Sequence, residues 1–531
     1  MRKIDDEIQA LLSEHRGDIR SILKDNHRLD LLYALSSQRE LLLEWYDFEP
    51  EAEVLQVGAD YGALTGLLRS SVSAVTVLDE TESALETVRQ RYPGAANIYY
   101  RKDSLAGYAA EACAEGKKYD YVIFAGTLTA PYEKHIHAAK SLLKPDGILI
   151  VALANALGMK YFAGTVEEEN ALTKRQLAEL LCGDKETQSM ADENGTLKFY
   201  YPMPDYKTPV SIYSDAYLPK KGDLTRVTPA YDYPPYHLME QGEKFDTVCE
   251  AGLFDLYANS YLVFWSADPK QLQKDDERIF IKYNKTRREE FQIKTCICER
   301  NVIGAAGASG AAGADATGNS AAGKKERYVE KAALSLDGSA HIASFKEKYE
   351  KLTKQHRTLK VAEPKFAEHR NSVFFPYLVG ETCAEKLGEQ LEGGQLPLDV
   401  LQIVMNQIYD ISPECRSAFV RTADFDEVFG ADLTEEEQNL LLSDTACEVS
   451  NIDALFENML MTREGIYCLD YEWVFLFPVP EHFVKYRILY YFYEQYSSVL
   501  KQLTLDQILG YFSITPEMAE VYRRMEVNFQ N

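Results

Sequence analysis

The sequence predicts an α/β protein, with a doubly wound parallel sheet in the first half of the chain and an α+β domain after it. From residue 52, short apolar runs alternate with helical patterns, as is typical of parallel sheets with crossover helices. A stretch of almost only Gly, Ala and Ser then interrupts the chain at 304–323. The remainder begins strand-rich and turns helical, which favours a second domain of different architecture.

Composition excludes several classes of protein. The 531 residues include 57 Lys and Arg against 83 Asp and Glu, for a net charge of −26. This balance argues against a nucleic-acid partner, because backbone binding relies on clustered cations. No apolar run reaches the length of about 18 residues expected of a transmembrane helix. The nine cysteines form no CxxC pair. With a charged N-terminus, they predict reduced thiols and a cytoplasmic location.

The first 50 residues are expected to be helical, because apolar residues recur there every three or four positions. A second helix is predicted at about 29–45. The following strands are predicted from short runs rich in β-branched and aromatic residues, at 54–57, 74–78, 98–100, 121–124, 148–153 and 261–265.

The Gly/Ala segment at 304–323 cannot bury enough surface to offset its ordering entropy, so we expect a disordered loop. Strand-like flanks at 291–298 and 327–334 make it the tip of a hairpin inside a domain. The predicted organisation is a helical segment at 1–50, a sheet domain at 51–270 and a second domain at 277–531.

A glycine-rich turn follows the first predicted strand, with Gly58, Asp60, Gly62 and Gly66 at its key positions. Glycine permits tight backbone geometry and close approach of a ligand. A dinucleotide fold would place a pyrophosphate at this turn, but the carboxylate of Asp60 would repel it. A ligand with a cationic centre and no phosphate fits better.

Two further acids end the next strands. Asp79 closes the second strand about twenty residues after the turn, where an acid is placed to bind ribose hydroxyls. Asp103 closes the third strand region and could meet an adenine amino group. The predicted ligand-binding set is therefore Gly58, Asp60, Gly62, Asp79 and Asp103.

This series resembles the class I S-adenosylmethionine (SAM)-dependent methyltransferases over about residues 40–267. The K-P-x-G turn at 144–147 and the spacing of five strands carry the resemblance, which implies a Rossmann-like fold and SAM as cofactor. The family's first motif is acid-x-Gly-x-Gly-x-Gly, and here Gln56 replaces the acid and Asp60 the middle glycine. The alternative is a Rossmann-like sheet that has lost its cofactor.

Two later stretches, 155–164 and 199–207, resemble a methyltransferase subgroup found beside surface-glycan biosynthesis enzymes. Their aromatic and polar residues are those expected of a loop that stacks on sugars, or of a lid over its own sheet; the two interpretations are weighed equally. Glu133, His135 and His137 follow the fourth strand and are candidate bases, each with a surface helix position as the alternative. Methyl transfer gains much from positioning, so no dedicated base is required.

A second set of polar residues lies in the C-terminal half. Asp453 and Asn458 form D-x-x-x-x-N, and Asp470 follows after a predicted short hairpin. Protein kinases have this layout. One carboxylate orients the attacking hydroxyl, and an amide and a second carboxylate hold Mg²⁺. Asp453 is thus a candidate catalytic residue, and Asn458 and Asp470 are candidate metal ligands for Mg²⁺ with ATP.

Upstream, Lys331 lies in a run similar to the third strand of a kinase N-lobe and is the candidate phosphate-binding lysine. Glu347 or Glu350 of the next helix could be its partner. The stretch 374–381 resembles the hinge of aminoglycoside- and choline-kinase-like enzymes. Asn451 replaces the catalytic-loop histidine, and the hairpin at 283–290 has no glycine. The resemblance, over about 277–500, leaves an active kinase and a pseudokinase equally open.

The combined layout resembles two-part methyltransferase–kinase enzymes that modify polysaccharide chains. It implies a SAM-dependent methyltransferase acting on a glycan or glycan precursor by O-methylation, with possible phosphorylation by the second domain. One alternative is a non-catalytic second domain that docks other glycan-biosynthesis enzymes. Another is a kinase whose methyltransferase domain is degenerate.

Overall fold

The structure, a computed structural model, describes residues 2–183, 195–224, 238–302, 324–367, 371–392, 398–430, 433–497, 499–500 and 503–530. Contacts divide the chain into two compact units. Unit 1 contains residues 1–285 and 294–326, and unit 2 contains residues 286–293 and 327–531. The domain boundaries predicted from sequence, 1–50, 51–270 and 277–531, stay predictions.

Five parallel strands form the centre of unit 1, in the order β3-β2-β1-β4-β5. Their near-continuous apolar sequences suit strands that are covered on both faces. The α/β prediction and the position of each strand are confirmed. The bounds are β1 Glu53–Val57, β2 Ala74–Asp79, β3 Ile98–Lys102, β4 Tyr119–Ala125 and β5 Leu143–Ala154.

The sheet continues beyond β5 in the order β8, β6, β7, β9 and β10. Strand β8 runs antiparallel to β5 along its whole length, and β6 runs antiparallel to β8. These strands are β6 Thr196–Met203, β7 Ser211–Ser214, β8 Ser260–Ser266, β9 Asp276–Asn284 and β10 Ile293–Val302.

Helices connect the strands of unit 1 and bury their apolar sides on the sheet. Leu105 of α6, Ile136 of α7 and Leu177 of α9 share one buried cluster with Leu55 and Leu149 of the sheet. The helices are α1 Arg2–Glu14, α2 Ile19–Asp25, α3 Leu29–Leu35, α4 Thr65–Ser71, α5 Glu82–Arg91, α6 Leu105–Ala114, α7 Tyr132–Ser141, α8 Met159–Phe162, α9 Lys174–Cys182, α10 Gln241–Glu250 and α11 Phe254–Tyr257.

The N-terminal helices cover the glycine turn. Ile8, Leu12 and Ile22 belong to a small apolar cluster against which Tyr61 of the turn packs. The Tyr61 hydroxyl also donates a hydrogen bond of 2.8 Å to Asp5. The helical prediction for residues 1–50 is confirmed in part, because extended backbone at Ser36 splits the predicted helix at 29–45 into α3 and a 3-10 helix, Ser37–Leu42.

The described residues of unit 2 form four groups of paired strands and a large helical part, as expected of an α+β domain; its resemblance to kinases stays a prediction. Its sheets have the orders β13-β14-β11, β12-β20-β19-β15, β16-β17-β22 and β18-β21. The strands are β11 Lys324–Ala333, β12 Lys360–Val361, β13 Lys365–Phe366, β14 Ser372–Pro376, β15 Glu381–Thr382, β16 Arg416–Ala418, β17 Thr445–Cys447, β18 Ser450–Asn451, β19 Met459–Thr462, β20 Gly465–Cys468, β21 Val474–Phe475 and β22 Val479–Pro480.

The helices of unit 2 share one extensive apolar core with these strands, including Phe345, Leu401, Phe456, Phe483 and Met525. Their bounds are α12 Ser339–Gln355, α13 Cys383–Glu392, α14 Leu398–Ile408, α15 Ala423–Phe429, α16 Glu435–Leu442, α17 Glu481–Tyr496, α18 Leu505–Tyr511 and α19 Pro516–Gln530.

Two further sequence predictions concern the Gly/Ala segment and transmembrane helices. The Gly/Ala segment predicted to be disordered, 304–323, lies outside the described residues, although strands β10 and β11 stand on either side of it as expected. Across the described parts of the chain, none of the helices has the length and apolar character needed to cross a bilayer.

Candidate functional sites

The strand order of unit 1 reverses between β1 and β4, and ligands of such sheets bind at the carboxyl ends of the strands at this point. Gly58 follows β1 with φ +87°, and Thr127 follows β4. The Thr127 hydroxyl donates a hydrogen bond to the Val57 carbonyl. A Cβ on Gly58 would lie 2.5 Å from Thr127 Cγ2. Only glycine therefore allows the ends of β1 and β4 to approach in this way.

The turn after Gly58 contains three consecutive residues in the left-handed region, Asp60, Tyr61 and Gly62, with φ of +40°, +54° and +73°. Gln56 supports the turn from the sheet. Its amide nitrogen donates to the Gly58 carbonyl at 3.1 Å, and its amide oxygen accepts from Thr65 at 2.8 Å. Gln56 thus stabilises the strained turn through neutral hydrogen bonds, at the position where the methyltransferase motif has an acid.

Asp79 at the end of β2 joins the turn directly. Its carboxylate accepts a hydrogen bond of 3.0 Å from the Ala59 amide and bonds of 2.9 and 2.8 Å from the amide and hydroxyl of Thr81. The Asp103 amide donates to the Asp79 carbonyl at 3.1 Å. The structure therefore brings all five predicted ligand-binding residues to the carboxyl edge of β1, β2 and β3.

Arg39, from the 3-10 helix after α3, changes the electrostatics expected of this edge. Its Nη1 lies 3.1 Å from Asp60 Oδ2 and donates to the Ala125 carbonyl at 3.3 Å. Arg39 is 6% exposed. Burial lowers the pKa of its guanidinium, but Asp60 and the other acidic groups around it together outweigh this effect, and the pKa is raised. The charge of Asp60 is thus offset. No spacing or motif links two residues 21 positions apart, so sequence analysis missed Arg39.

A pocket of about 260 Å³ opens beside Arg39, after β4 and β5. Gly126, Leu128 and Leu153 form part of its wall, and Glu168, Glu169, Asn170 and Tyr206 provide its polar groups. The Tyr206 ring packs against Gly126, at which a Cβ would lie 2.7 Å from the ring. This pocket lies at the carboxyl ends of β4 and β5.

Buried ion pairs hold Glu168 at this pocket. Lys160, which is 0% exposed, places its Nζ 2.5 Å from Asp205 and 2.8 Å from Glu168. Lys207 lies 3.1 Å from Glu168, and the Tyr206 hydroxyl donates to Glu168 at 3.2 Å. Burial raises the pKa of the Asp205 carboxyl, but Lys160 and Lys207 together reverse this effect and lower it. Asp205, Tyr206 and Lys207 come from a segment far along the sequence from Lys160 and Glu168, which is why spacing did not indicate the cluster.

The two glycan-related stretches contribute mainly to the interior. Residues 196–203 form β6, and Phe199, Tyr200, Tyr201 and Tyr206 are buried. β6 lies between β7 and β8 as a strand of the sheet, so its aromatic side chains are buried in the interior and form neither a loop nor a lid. Leu157 and Phe162 of the first stretch are exposed, and both interpretations of that stretch stay predictions.

The three candidate bases lie away from this pocket. Glu133, His135 and His137 belong to α7, where Glu133 and His137 are exposed. His135 Nδ1 lies 2.8 Å from the Thr129 carbonyl. None of the three lines the pocket after β4 and β5, so the surface-helix alternative is the one observed.

In unit 2, the predicted lysine and metal ligand meet. Lys331 of β11 is buried, and its Nζ lies 2.8 Å from Asp470 Oδ2. Its other partner is Glu472, which also pairs with Arg287. Burial raises the pKa of the Glu472 carboxyl, but Lys331 and Arg287 together reverse this effect and lower it to about 2. Glu472 is therefore an ionised, buried anchor for two cations.

The prediction that Glu347 or Glu350 is the partner of Lys331 is wrong. Both are exposed on α12, and Glu347 pairs with Lys351 instead. The helix turns Lys348 inward, and this lysine donates to the Glu472 backbone carbonyl. The positions of the acids in the sequence do not reveal which face of α12 is buried.

The predicted catalytic loop lies next to this cluster. The Asp453 amide donates to Asn451 at 2.9 Å, and the Asn458 amide nitrogen donates to the Asp453 carbonyl at 2.9 Å. The hairpin of β19 and β20 separates Asn458 from Asp470, as the spacing predicts. Burial, followed by the charge of Asp470, raises the pKa of the Asp453 carboxyl to about 7.

Comparison with known proteins finds similar solved structures but no family and no curated relative. Among solved structures, phosphoethanolamine N-methyltransferase 1 of Haemonchus contortus is 14% identical, covering 49% of this chain and 48% of its own, with a TM-score of 0.28. The N-methyltransferase NodS of Bradyrhizobium japonicum WM9, in complex with S-adenosylhomocysteine, is 19% identical, covering 28% and 72%, with a TM-score of 0.21.

A third solved structure is the precorrin 8w decarboxylase of Methanobacterium thermoautotrophicum. It is 13% identical, covers 44% of this chain and 90% of its own, and has a TM-score of 0.24. Scores this low carry no argument about activity. The fold of unit 1 is defined by its own strand order and register, and any function must be argued from the geometry of its sites.

Substitution of Gly58 tests the close approach of β1 and β4. We expect Gly58→Ala to lower the free energy of unfolding by about 1–3 kcal/mol more than Gly94→Ala, because of steric overlap with Thr127. Gly94 also has a positive φ, of +72°, but no atom lies within 4 Å of its Cβ position, so it controls for backbone strain. Urea denaturation measures both variants, and equal losses would contradict the proposed packing.

Proposed function

We propose that unit 1 is a SAM-dependent methyltransferase domain. The observation that carries this proposal is the hydrogen bond between the Ala59 amide and Asp79, because it joins the glycine turn of β1 to the acid of β2 at the reversal of strand order. A nucleoside with hydroxyls fits there, since Asp79 can accept from ribose as well as from the turn.

The residues present fit SAM. The buried atoms Arg39 Nε and Asp60 Oδ2 have no hydrogen-bond partner among the described residues, so polar groups remain for a ligand. Asp79 would bind the ribose, Asp103 the adenine amino group, and the backbone at Gly58 and Gly62 would permit close approach. When bound, SAM supplies a methyl group on a sulfonium sulfur.

We further propose that the acceptor is a hydroxyl group of a glycan or glycan precursor, so that the reaction is O-methylation. The oxygen atoms of Glu168, Glu169 and Asn170 at the pocket are acceptors suited to hydroxyl groups. Lys160 and Lys207 fix Glu168 in place, which favours catalysis by orientation. The cytoplasmic location and a partnership with other glycan-biosynthesis enzymes belong to the same proposal.

Unit 2 supports a second candidate function, phosphoryl transfer from ATP. The observation in its favour is the 2.8 Å contact between Lys331 and Asp470. Asp453 lies close enough for the charge of Asp470 to raise the pKa of its carboxyl. Lys331 would contact the phosphates, and Asp453 would orient the acceptor hydroxyl. The alternatives are a non-catalytic scaffold in unit 2, and a kinase whose unit 1 no longer binds SAM.

Asn458 and Asp470 fit Mg²⁺ by chemistry, because carboxylate and amide oxygens are hard donors. The Asn458 nitrogen is engaged by the Asp453 carbonyl, which leaves the amide oxygen for a ligand. Within the described ranges, no group of three or more His, Cys, Asp or Glu residues could hold a metal, so Asn458 is required for this assignment. Bound Mg²⁺ would neutralise charge on the phosphates.

Removal of the Asp79 charge tests the methyltransferase proposal. We expect Asp79→Asn to weaken S-adenosylhomocysteine binding by about 1–2 kcal/mol, because a hydrogen bond from ribose to a carboxylate is replaced by one to an amide. Isothermal titration calorimetry measures the dissociation constant. The neighbouring exposed Glu80→Gln is the matched control and should leave it unchanged. An unaltered dissociation constant in Asp79→Asn refutes the ribose assignment.

Substitution of Glu472 tests the phosphoryl-transfer function proposed for unit 2. We expect Glu472→Gln to weaken binding of MgATP by roughly tenfold, because Lys331 and Arg287 lose the ionised anchor that orients them. Glu347→Gln, at an exposed position of α12, is the control and should leave the affinity for MgATP unchanged. A filter-binding or calorimetric titration with MgATP gives both values. A wild-type chain that does not bind MgATP contradicts this function and favours the scaffold.

A further inference from the structure

Exposed apolar side chains are concentrated at one place on unit 1. In the described part of this unit, ten large apolar residues are exposed, and six of them come from three segments near the end of β5. Single exposed apolar residues are ordinary, whereas a contiguous group marks a binding surface. We call these six residues the apolar patch; they are 40–84% exposed and comprise Leu157, Phe162, Val166, Leu238, Leu253 and Leu256.

Asn155, a buried residue directly after β5, joins two segments of the apolar patch. Its side-chain oxygen accepts a hydrogen bond of 3.0 Å from the Leu157 amide, and its side-chain nitrogen donates to the Leu256 carbonyl at 2.8 Å. The Leu253 carbonyl accepts from the Leu256 amide at 3.1 Å. Leu157 is therefore a neighbour of Leu253 and Leu256, although a long stretch of sequence separates it from them.

Two more contacts extend this surface. The centre of the Phe162 ring lies 6.2 Å from that of Tyr257, the residue after Leu256. The Leu238 amide donates a hydrogen bond of 3.1 Å to the Ala163 carbonyl. The apolar patch is therefore one continuous surface around α8 and α11, and tertiary contacts assemble it.

The apolar patch borders the pocket proposed for the acceptor. The segment that carries Leu157, Phe162 and Val166 begins directly after Ala154 and ends directly before Glu168, and both of these flanking residues line the pocket. The Glu168 amide donates to the hydroxyl of Tyr161, within the same segment, at 3.3 Å. An acceptor whose polar group occupies the pocket would therefore extend its next atoms over apolar side chains.

Acidic residues lie between the apolar patch and the pocket. Glu167 and Glu169 are exposed on either side of Glu168, and the whole chain has a net charge of −26. Carboxylates repel phosphate groups and the surfaces of anionic bilayers. The charge therefore favours an occupant whose apolar part is joined to its polar part through an uncharged linkage.

We infer that the apolar patch binds an apolar chain of the acceptor itself. The acceptor is then a glycolipid, with a sugar hydroxyl in the pocket and an alkyl or isoprenoid chain on the apolar patch. The inference rests on the proposed methyltransferase function and adds to it the second half of the acceptor. It requires that affinity for the acceptor rises with the length of the chain.

Alkyl glycosides measure this dependence. Methyl, butyl and octyl glycosides of glucose, galactose and mannose are titrated into the full chain in the presence of saturating S-adenosylhomocysteine. Isothermal titration calorimetry, with each glycoside below the concentration at which it forms micelles, gives the dissociation constants. We expect octyl glycosides to bind about 10- to 50-fold more tightly than the methyl glycosides of the same sugar, because each methylene on the apolar patch is removed from water.

Variants assign the effect to the apolar patch. We expect the double variant Phe162→Ser, Leu256→Ser to reduce the difference between octyl and methyl glycosides to about threefold or less, with unchanged affinity for S-adenosylhomocysteine. Leu29→Ser is the matched control, because Leu29 of α3 is 46% exposed and lies outside the apolar patch. This control should retain the full dependence on chain length. Circular dichroism checks that each variant is folded.

The failures are distinguishable. If wild type does not bind S-adenosylhomocysteine, the proposed function fails. If S-adenosylhomocysteine binds but chain length has no effect with any of the three sugars, or if the effect persists in the double variant, the inference is overturned while the function stands.

Two other occupants of the apolar patch have their own signatures. Flotation of wild type, but not of the double variant, with phosphatidylcholine vesicles indicates a bilayer. A wild-type dimer that the double variant dissociates, measured by light scattering, indicates a second copy of the chain. Either result in place of a dependence on chain length overturns the inference.

Discussion

The contact between Gly58 and Thr127 is the constraint on which the site in unit 1 depends. It brings the carboxyl ends of β1 and β4 together where the strand order reverses. The left-handed turn at Asp60, Tyr61 and Gly62 is strained for side-chain-bearing residues. Gln56 from below and the Asp79 carboxylate from the side hold it in this shape. A change in any of these contacts would alter the ligand-binding edge as a whole.

Charge compensation then decides what the edge can bind. An isolated Asp60 would make the crevice acidic, but Arg39 neutralises it without filling the hydrogen-bonding capacity of either group. In unit 2 charge compensation occurs within the protein itself, because the carboxylate of Glu472 pairs with both Lys331 and Arg287.

Much of the fold could be predicted because its signals are local. Periodicity and β-branched runs indicate β1 to β5, and the glycine turn and terminal acids Asp79 and Asp103 follow from their position after each strand. The missed residues depend on tertiary contacts. Arg39 lies in a separate helical segment before the turn, and Lys160 pairs with Asp205 from a distant segment. Glu472 replaces the expected helix acids because α12 turns Lys348 inward.

We propose that the edge formed by β1, β2 and β4 accommodates a sulfur nucleoside and not a dinucleotide. Parallel calorimetric titrations of the intact wild-type chain with S-adenosylhomocysteine and with NAD⁺ test it most directly. We predict saturable one-to-one binding of S-adenosylhomocysteine and no heat from NAD⁺. Binding of NAD⁺ in its place, or a flat titration with S-adenosylhomocysteine at millimolar concentration, would contradict the account.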